Sequence, residues 1–172
     1  ELTGVQEWPT EAKKNWSHPR PPHREHVRHI FVDPGDPEFL LVCLEHGGII
    51  RSFDRGATWE DVSRGIDYLD IHHISAAPGR KNFYFVATAR GFFKSNDPGD
   101  GWQRAEAGFT RDYFHDFVFL PGSPGAMLVA TADTSPGYWN RPERAQGAIF
   151  RSRNLAESWE RVGVGKWLPQ DM

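Results

Sequence analysis

Three short segments of this sequence place basic and imidazole side chains at matching positions: Arg28-His29, His72-His73 and His115-Asp116. Imidazole changes charge near neutral pH and is a common nitrogen ligand for divalent metals. Brought together, these side chains would bind a divalent ion, relay a proton, or hold an anion with Arg28. Equally, they would line a wet channel and hydrogen-bond to backbone. His72 and His73 are adjacent, and successive strand residues face opposite ways, so they do not jointly chelate one ion. A second set comprises Glu45-His46, Ala89-Arg90 and Ala132-Asp133. Glu45, Arg90 and Asp133 would frame a polar ligand or stay as solvated loop charges. The acid–base chemistry open to them is Glu45 as general acid with Asp70 or Asp133 as its partner. No cofactor is required by any of these residues, although the histidines leave a divalent metal open.

These residues are positioned by a repeat. Val27–Pro34, Ile71–Pro78 and Phe114–Pro121 match one another, with their prolines 44 and 43 residues apart. Each is followed by an apolar stretch (residues 39–44, 82–88 and 126–131) and then by a second shared pattern. That pattern is basic-Ser-x-(Asp/Asn)-x-(Gly/Ala)-x-x-Trp. Its first copy carries Ser52, Asp54, Gly56 and Trp59, and its second Ser95, Asp97, Gly99 and Trp102; Ser152, Asn154 and Trp159 form the third. Each repeat reads as four short strands; in the first they are His26–Val32, Phe39–Leu44, Gly48–Ser52 and Thr58–Val62, separated by Pro-Gly, Asp-Pro and Gly-Gly pairs. Four strands at a period near 43 residues predict an all-β fold of antiparallel β-propeller blades. A β-sandwich is the alternative, but it does not call for three copies of one turn.

The blades are expected at residues 26–64, 65–107 and 108–163. Residues 1–25 would end a preceding blade or serve as linker, and 164–172 would connect to a following one. The third repeat is 14 residues longer, and the surplus falls between its second and third strands, as an inserted loop over 132–147. Tyr138 and Trp139 in that loop are aromatic candidates for carbohydrate or partner contact, or for a lid over the channel. The innermost strand of each blade is expected to be the one ending at Pro34, Pro78 and Pro121. It would bring the Arg/His positions of neighbouring blades near the axis.

The serine-centred turns read as structural. A short Asp side chain accepts backbone N–H bonds two or three residues on, Gly56 and Gly99 supply a positive φ, and the Trp packs under the turn. Asp54 and Asp97 are therefore not a catalytic pair, because glycosidase carboxylates converge to roughly 5–10 Å.

Composition narrows the function classes. The net charge of −3 over 172 residues lacks the basic excess of a nucleic-acid binder. No apolar run approaches a membrane-spanning helix. The single cysteine, Cys43, lies in an apolar run and reads as a small buried hydrophobe. With no basic-then-apolar leader pattern, a cytoplasmic location is the expectation, while a start at Glu1 rather than Met is compatible with a processed or truncated N-terminus.

The Ser-x-Asp-x-Gly-x-Thr-Trp string resembles the Asp-box of BNR-repeat proteins. Asp54, Gly56 and Trp59 match fully, Gly101 stands where Thr is usual, and Asn154 with Ala156 forms a degenerate copy. From about Trp16 onward the chain looks like bacterial BNR-repeat proteins labelled glycosyl hydrolase-like or sialidase-like. The resemblance implies a propeller of six to eight blades with the Asp-boxes at its outer edge, away from active sites. In a sialidase-like site three arginines hold the substrate carboxylate, and Arg28, Arg90 and either Arg141 or Arg144 are the ones available here. The leading expectation is a binding or scaffold module with its ligand at the channel face. The alternatives are a glycoside hydrolase and a histidine-built metal site. Three blades also expose two apolar faces, so completion by further blades of the same protein or by a second copy is expected.

Overall fold

The computed structural model describes residues 13, 16, 18–21, 26–97, 101–142 and 144–163. They form three antiparallel sheets of four strands each, in simple chain order. The first sheet holds β1 (His26–Asp33), β2 (Asp36–Glu45), β3 (Gly48–Ser52) and β4 (Glu60–Asp61). The second holds β5 (Ile71–Ala76), β6 (Tyr84–Thr88), β7 (Gly91–Ser95) and β8 (Gln103–Arg104). The third holds β9 (Tyr113–Phe119), β10 (Met127–Ala132), β11 (Ala148–Ser152) and β12 (Glu160–Val162). The propeller-blade fold is thus present, although the outermost strands are shorter than the sequence pattern suggests. No helix among the described residues is long and apolar enough to cross a membrane.

The blades stack face to face, and strict alternation on the middle strands explains how. Leu41 and Cys43 of β2 face the second blade and join Ile71, Ile74, Tyr84, Val86 and Phe93 in one core. Phe85 and Ala87, on the opposite side of β6, join Phe114, Phe117, Met127, Val129 and Phe150 in the next. A strand covered on both faces must be apolar at every position, which is why these strands read as continuous apolar runs. Cys43 is free and fully buried, and burial pushes its thiol pKa up. On the far side of the first blade, Ile30 and Val32 are half exposed beside Val42 and Ile50. Val118 is likewise 54% exposed on the third blade.

The serine-centred turns close as their chemistry requires. Asp54 Oδ1 accepts from Ser52 Oγ at 2.7 Å and from the Thr58 amide at 2.8 Å. Ser52 Oγ in turn accepts from the Gly56 amide at 2.8 Å, with Gly56 at φ +90°. The Thr58 hydroxyl, donating to Asp54 Oδ2 at 2.6 Å, together with the Thr58 amide and the Ser52 hydroxyl, holds the exposed Asp54 carboxyl down at about 2. Asp97 Oδ1 accepts from Ser95 Oγ and from the Gly101 amide, and Asn154 Oδ1 from Ser152 Oγ and the Ser158 amide. Gly99 lies outside the described residues.

The tryptophans depart from expectation. Trp59 Nε1 donates to Gly56 O of its own turn at 3.0 Å, as a Trp tucked under its turn should. Trp102 and Trp159 instead reach back one blade. Trp102 Nε1 donates to Val62 O and Trp159 Nε1 to Ala105 O, both at 2.8 Å. Their amides donate to Arg64 O at 3.0 Å and Ala107 O at 2.8 Å. The segment that receives each Trp turns at a glycine, Gly65 (φ +96°) or Gly108 (φ +101°). A Cβ on Gly65 would lie 2.2 Å from Trp102 O, and one on Gly108 2.2 Å from Trp159 O. The turn motif is therefore also the clamp between blades.

Gly65→Ala should lower stability in urea denaturation by at least about 2 kcal/mol, because backbone cannot yield to the new methyl. Gly79→Ala, at φ +73° with nothing within 4 Å of the added carbon, should show only the intrinsic cost of a positive φ, about 1 kcal/mol. Equal losses at the two sites would refute the clamp.

Candidate functional site

Strands β1, β5 and β9 are the inner strands: β1 packs on β5, and β5 on β9. Each carries an irregularity at the same repeat position, and β1 has a second between Val32 and Asp33. Pairing jumps from Val27 to His29, from Ile71 to His73, and from Phe114 to Asp116. The residues skipped are Arg28, His72 and His115. A β-bulge re-aims the side chain it carries and breaks the facing rule of the strand around it. The paired Arg/His positions thereby separate into two clusters.

The first cluster gathers His29, His73 and Asp116. The His29 and His73 rings stack with centroids 4.1 Å apart, His73 Nδ1 lies 2.9 Å from Asp116 Oδ1, and His29 Nδ1 accepts from the Ile74 amide at 3.4 Å. Burial lowers the pKa of His29, and burial with the neighbouring His29 lowers that of His73 to about 4, against a smaller upward pull from Asp116. This cluster bridges all three blades but does not line the cleft described next.

The second cluster surrounds a cleft of about 820 Å³ at one end of the inner strands. The β2–β3 turn supplies Glu45 and His46, and it is tightly built. His46 sits at φ +60°, while a Cβ on Gly47 would lie 2.7 Å from Leu44 Cβ and one on Gly48 2.2 Å from Ser63 Oγ. Glu45 Oε2 accepts from Arg28 Nη1 at 2.9 Å and lies 2.7 Å from His26 Nε2. Burial raises the Glu45 pKa, but Arg28, with help from His26, outweighs it and the net shift is downward. Asp70 lies deeper. Its Oδ2 is 3.6 Å from His46 Nε2, and its Oδ1 is 3.4 Å from His72 Nε2. Burial again opposes ionisation, and the His72 and His46 imidazoles with Arg28 again overcome it. His72 is buried beneath the cleft, with Nδ1 2.6 Å from Phe114 O and the Tyr113 hydroxyl 3.4 Å from Nε2. Burial lifts the Tyr113 hydroxyl to about 12, whereas burial and the neighbouring His72 and Arg28 lower His115, whose ring lies 6.0 Å from that of His72.

Arg90 lines the cleft with its guanidinium 4.4 Å from the Tyr68 ring, and Arg104 pairs with Asp67 at 2.8 Å and with Glu106 at 2.7 Å. The inserted loop forms one wall through Asp133, the turn Pro136–Tyr138 and the exposed Tyr138, whose ring Arg141 covers at 4.3 Å. The Trp139 indole turns away from the lining to donate to Thr134 O at 2.8 Å, with its ring 6.3 Å from Tyr113. A Cβ on Gly137 would lie 3.4 Å from Arg20 Nη2, so the loop of the third blade reaches the segment beside the first.

Of the residues expected at a site, Arg28, Glu45, His46, Asp70, Arg90, Asp133 and Tyr138 line this cleft. His29, His72, His73, His115, Asp116 and Trp139 do not. Nor do Arg141 and Arg144; the arginines that line the cleft beside Arg28 and Arg90 are Arg20 and Arg104. The sequence reading missed His18, Arg20, Asp67, Tyr68, Arg104, Asp112 and Tyr113. His18 and Arg20 carry no repeat signal, because they enter from the segment before the first inner strand.

No family model matches the chain, and no curated protein matches it. Solved structures do. An ancestral GH74 enzyme is 20% identical with a TM-score of 0.66, covering 79% of this chain and 18% of that one. The GH74 xyloglucanase from Xanthomonas campestris is 16% identical with a TM-score of 0.64, over 95% of this chain and 25% of its own. YCF48 from Cyanidioschyzon merolae is 17% identical with a TM-score of 0.54, over 80% of this chain and 37% of its own. At these identities the likeness establishes the β-propeller fold, and the chain spans well under half of each of these proteins.

His73 has its pKa lowered by folding, so the unfolded chain binds more protons between pH 6.5 and about 4. Its contribution to stability is fully present above 6.5 and is lost as pH falls towards 4. His73→Gln should flatten the decline of the thermal midpoint across that window. An unchanged slope would show that the stacked pair does not control it.

Proposed function

We propose that the chain contributes three blades and their cleft to a propeller that binds a neutral, hydroxyl-rich ligand, a carbohydrate chain, without cleaving it. The observation that carries this is the self-pairing of charge in the cleft: Arg28 on Glu45 and Arg104 on Asp67. A lining whose charges already neutralise one another has little net attraction for a strongly charged ligand. It still presents oriented donors and acceptors to hydroxyls, beside the rings of Tyr68, Tyr113 and Tyr138. A glycoside hydrolase is the second reading. It draws on the carboxylates Glu45, Asp70 and Asp133 sharing one cleft, and on the GH74 enzymes of the same fold. Against it, a general acid must keep its proton near neutrality, and the surroundings of Glu45 and Asp70 hold both ionised.

Calorimetric titration with neutral β-glucan and xyloglucan oligosaccharides should show binding, weakened about 10-fold or more by Arg90→Ala. Absence of binding to all of them would sink the reading. Release of reducing sugar by the protein but not by Glu45→Gln would replace it with the hydrolase.

The half-exposed Ile30, Val32 and Val118 support completion by further blades, either from the same protein or from a second copy. For the 172-residue chain alone, light scattering should report concentration-dependent self-association. A monomer at every concentration would contradict this.

A further inference from the structure

At the mouth of the cleft His18, Glu45 and His46 bring one donor atom each to within 4.8 Å of one another. They come from two separate parts of the chain: the segment before β1 and the turn between β2 and β3. From the way these donors are held, we infer that they form a divalent transition-metal site, two imidazoles and one carboxylate oxygen around a single ion of the zinc class.

Three geometric facts converge on this. The first is spacing. His18 Nε2 lies 3.4 Å from Glu45 Oε1. Two donors bonded at about 2.0–2.2 Å to a tetrahedral ion stand about 3.3–3.6 Å apart. The second is orientation from behind. Arg28 and His26 both engage Glu45 Oε2, so Oε1 is the oxygen turned to His18. His18 Nδ1 accepts from the Arg20 amide at 3.1 Å and lies 3.3 Å from Arg20 O, so the Arg20 backbone holds the ring with Nε2 turned to Glu45. His46 in turn has Nε2 3.6 Å from Asp70 Oδ2, a carboxylate behind a histidine. The third is strain and an unmet need. His46 is held at φ +60° between Glu45 and two close-packed glycines, a conformation non-glycine residues adopt at a cost. Behind it, Asp70 Oδ1 is buried and accepts no hydrogen bond. A cation held by His46 would add to the positive charge around that unpartnered oxygen.

Three protein ligands leave one position of a tetrahedral ion open, and here it opens to the cleft. That is the arrangement of a site that takes a ligand oxygen rather than one that only staples the fold. The metal site does not rest on the carbohydrate reading. Either can fail alone, because one is read by metal binding without sugar and the other by sugar binding in the presence of a chelator.

The test is titration of the full chain, freed of metal, with cobalt(II) followed by visible absorption and with zinc by calorimetry. One equivalent should bind, with the intense visible bands of four-coordinate cobalt and a dissociation constant in the micromolar range or tighter. His46→Ala and Glu45→Gln should each weaken binding about 100-fold or more, whereas His115→Ala, outside the triad, should leave it unchanged. Circular dichroism reports whether each variant folds. If a variant does not fold, the stoichiometry and spectrum of the unaltered chain decide alone. Binding below one equivalent at millimolar metal, a spectrum of the hexahydrated ion, or unchanged affinity in a folded His46→Ala would each overturn the site.

Discussion

A four-stranded blade is too thin to bury either of its faces by itself, and everything else in this molecule follows from that constraint. Leu41 and Cys43 are covered only because Ile74 and Val86 of the next blade lie against them. Phe85 and Phe92 depend in the same way on Phe117, Val129 and Trp159. Area alone would let such faces slide over one another. Hydrogen bonds from two indoles to carbonyls of the preceding blade fix the distance and register, and the glycines at those points admit no side chain. With the register fixed, the inner strands lie side by side and their side chains meet across blade boundaries.

That fixed register sorts the inner residues by a single device repeated three times. The bulge at Arg28, His72 and His115 separates side chains that are adjacent in sequence. One set joins the surroundings of Glu45 and Asp70. The other forms the stacked His29–His73 pair with Asp116. Their electrostatics are opposite in kind. The carboxylates of the cleft are held charged by cations, whereas the histidines between the blades are held neutral by burial.

Much of the architecture is legible in the sequence because it recurs. Three copies of the proline-ended strand and of the serine-centred turn define twelve strands, and the surplus of the third repeat locates the inserted loop. What does not recur, or what depends on a neighbour, is hidden. His18 belongs to no repeat, so no comparison within the chain marks it. A bulge is one residue of mispairing, and alternation in Ile71-His72-His73-Ile74 gives no sign of it. The destination of Trp102 is hidden for a different reason: Ser95 to Trp102 is a local motif, but Val62, which receives its indole, lies 40 residues earlier in another blade. Six residues after Trp59 and after Trp102 stands a glycine, Gly65 and Gly108, and the same spacing places Gly165 after Trp159. That regularity becomes meaningful only once the structure shows what the first two glycines accommodate.

The clamp also has a polarity. The second and third blades each offer an indole to the blade before them, and the first and second a glycine turn to the blade after them, so the two faces of a blade are plug and socket rather than mirror partners. Contacts of that kind are heterologous: they propagate in one direction and end only when the last socket meets the first plug. An arc built this way cannot pair face to face by a simple two-fold match of like surfaces. Whatever completes it must join head to tail at both ends at once, and a small error in the angle per blade would yield an open spiral in place of a ring.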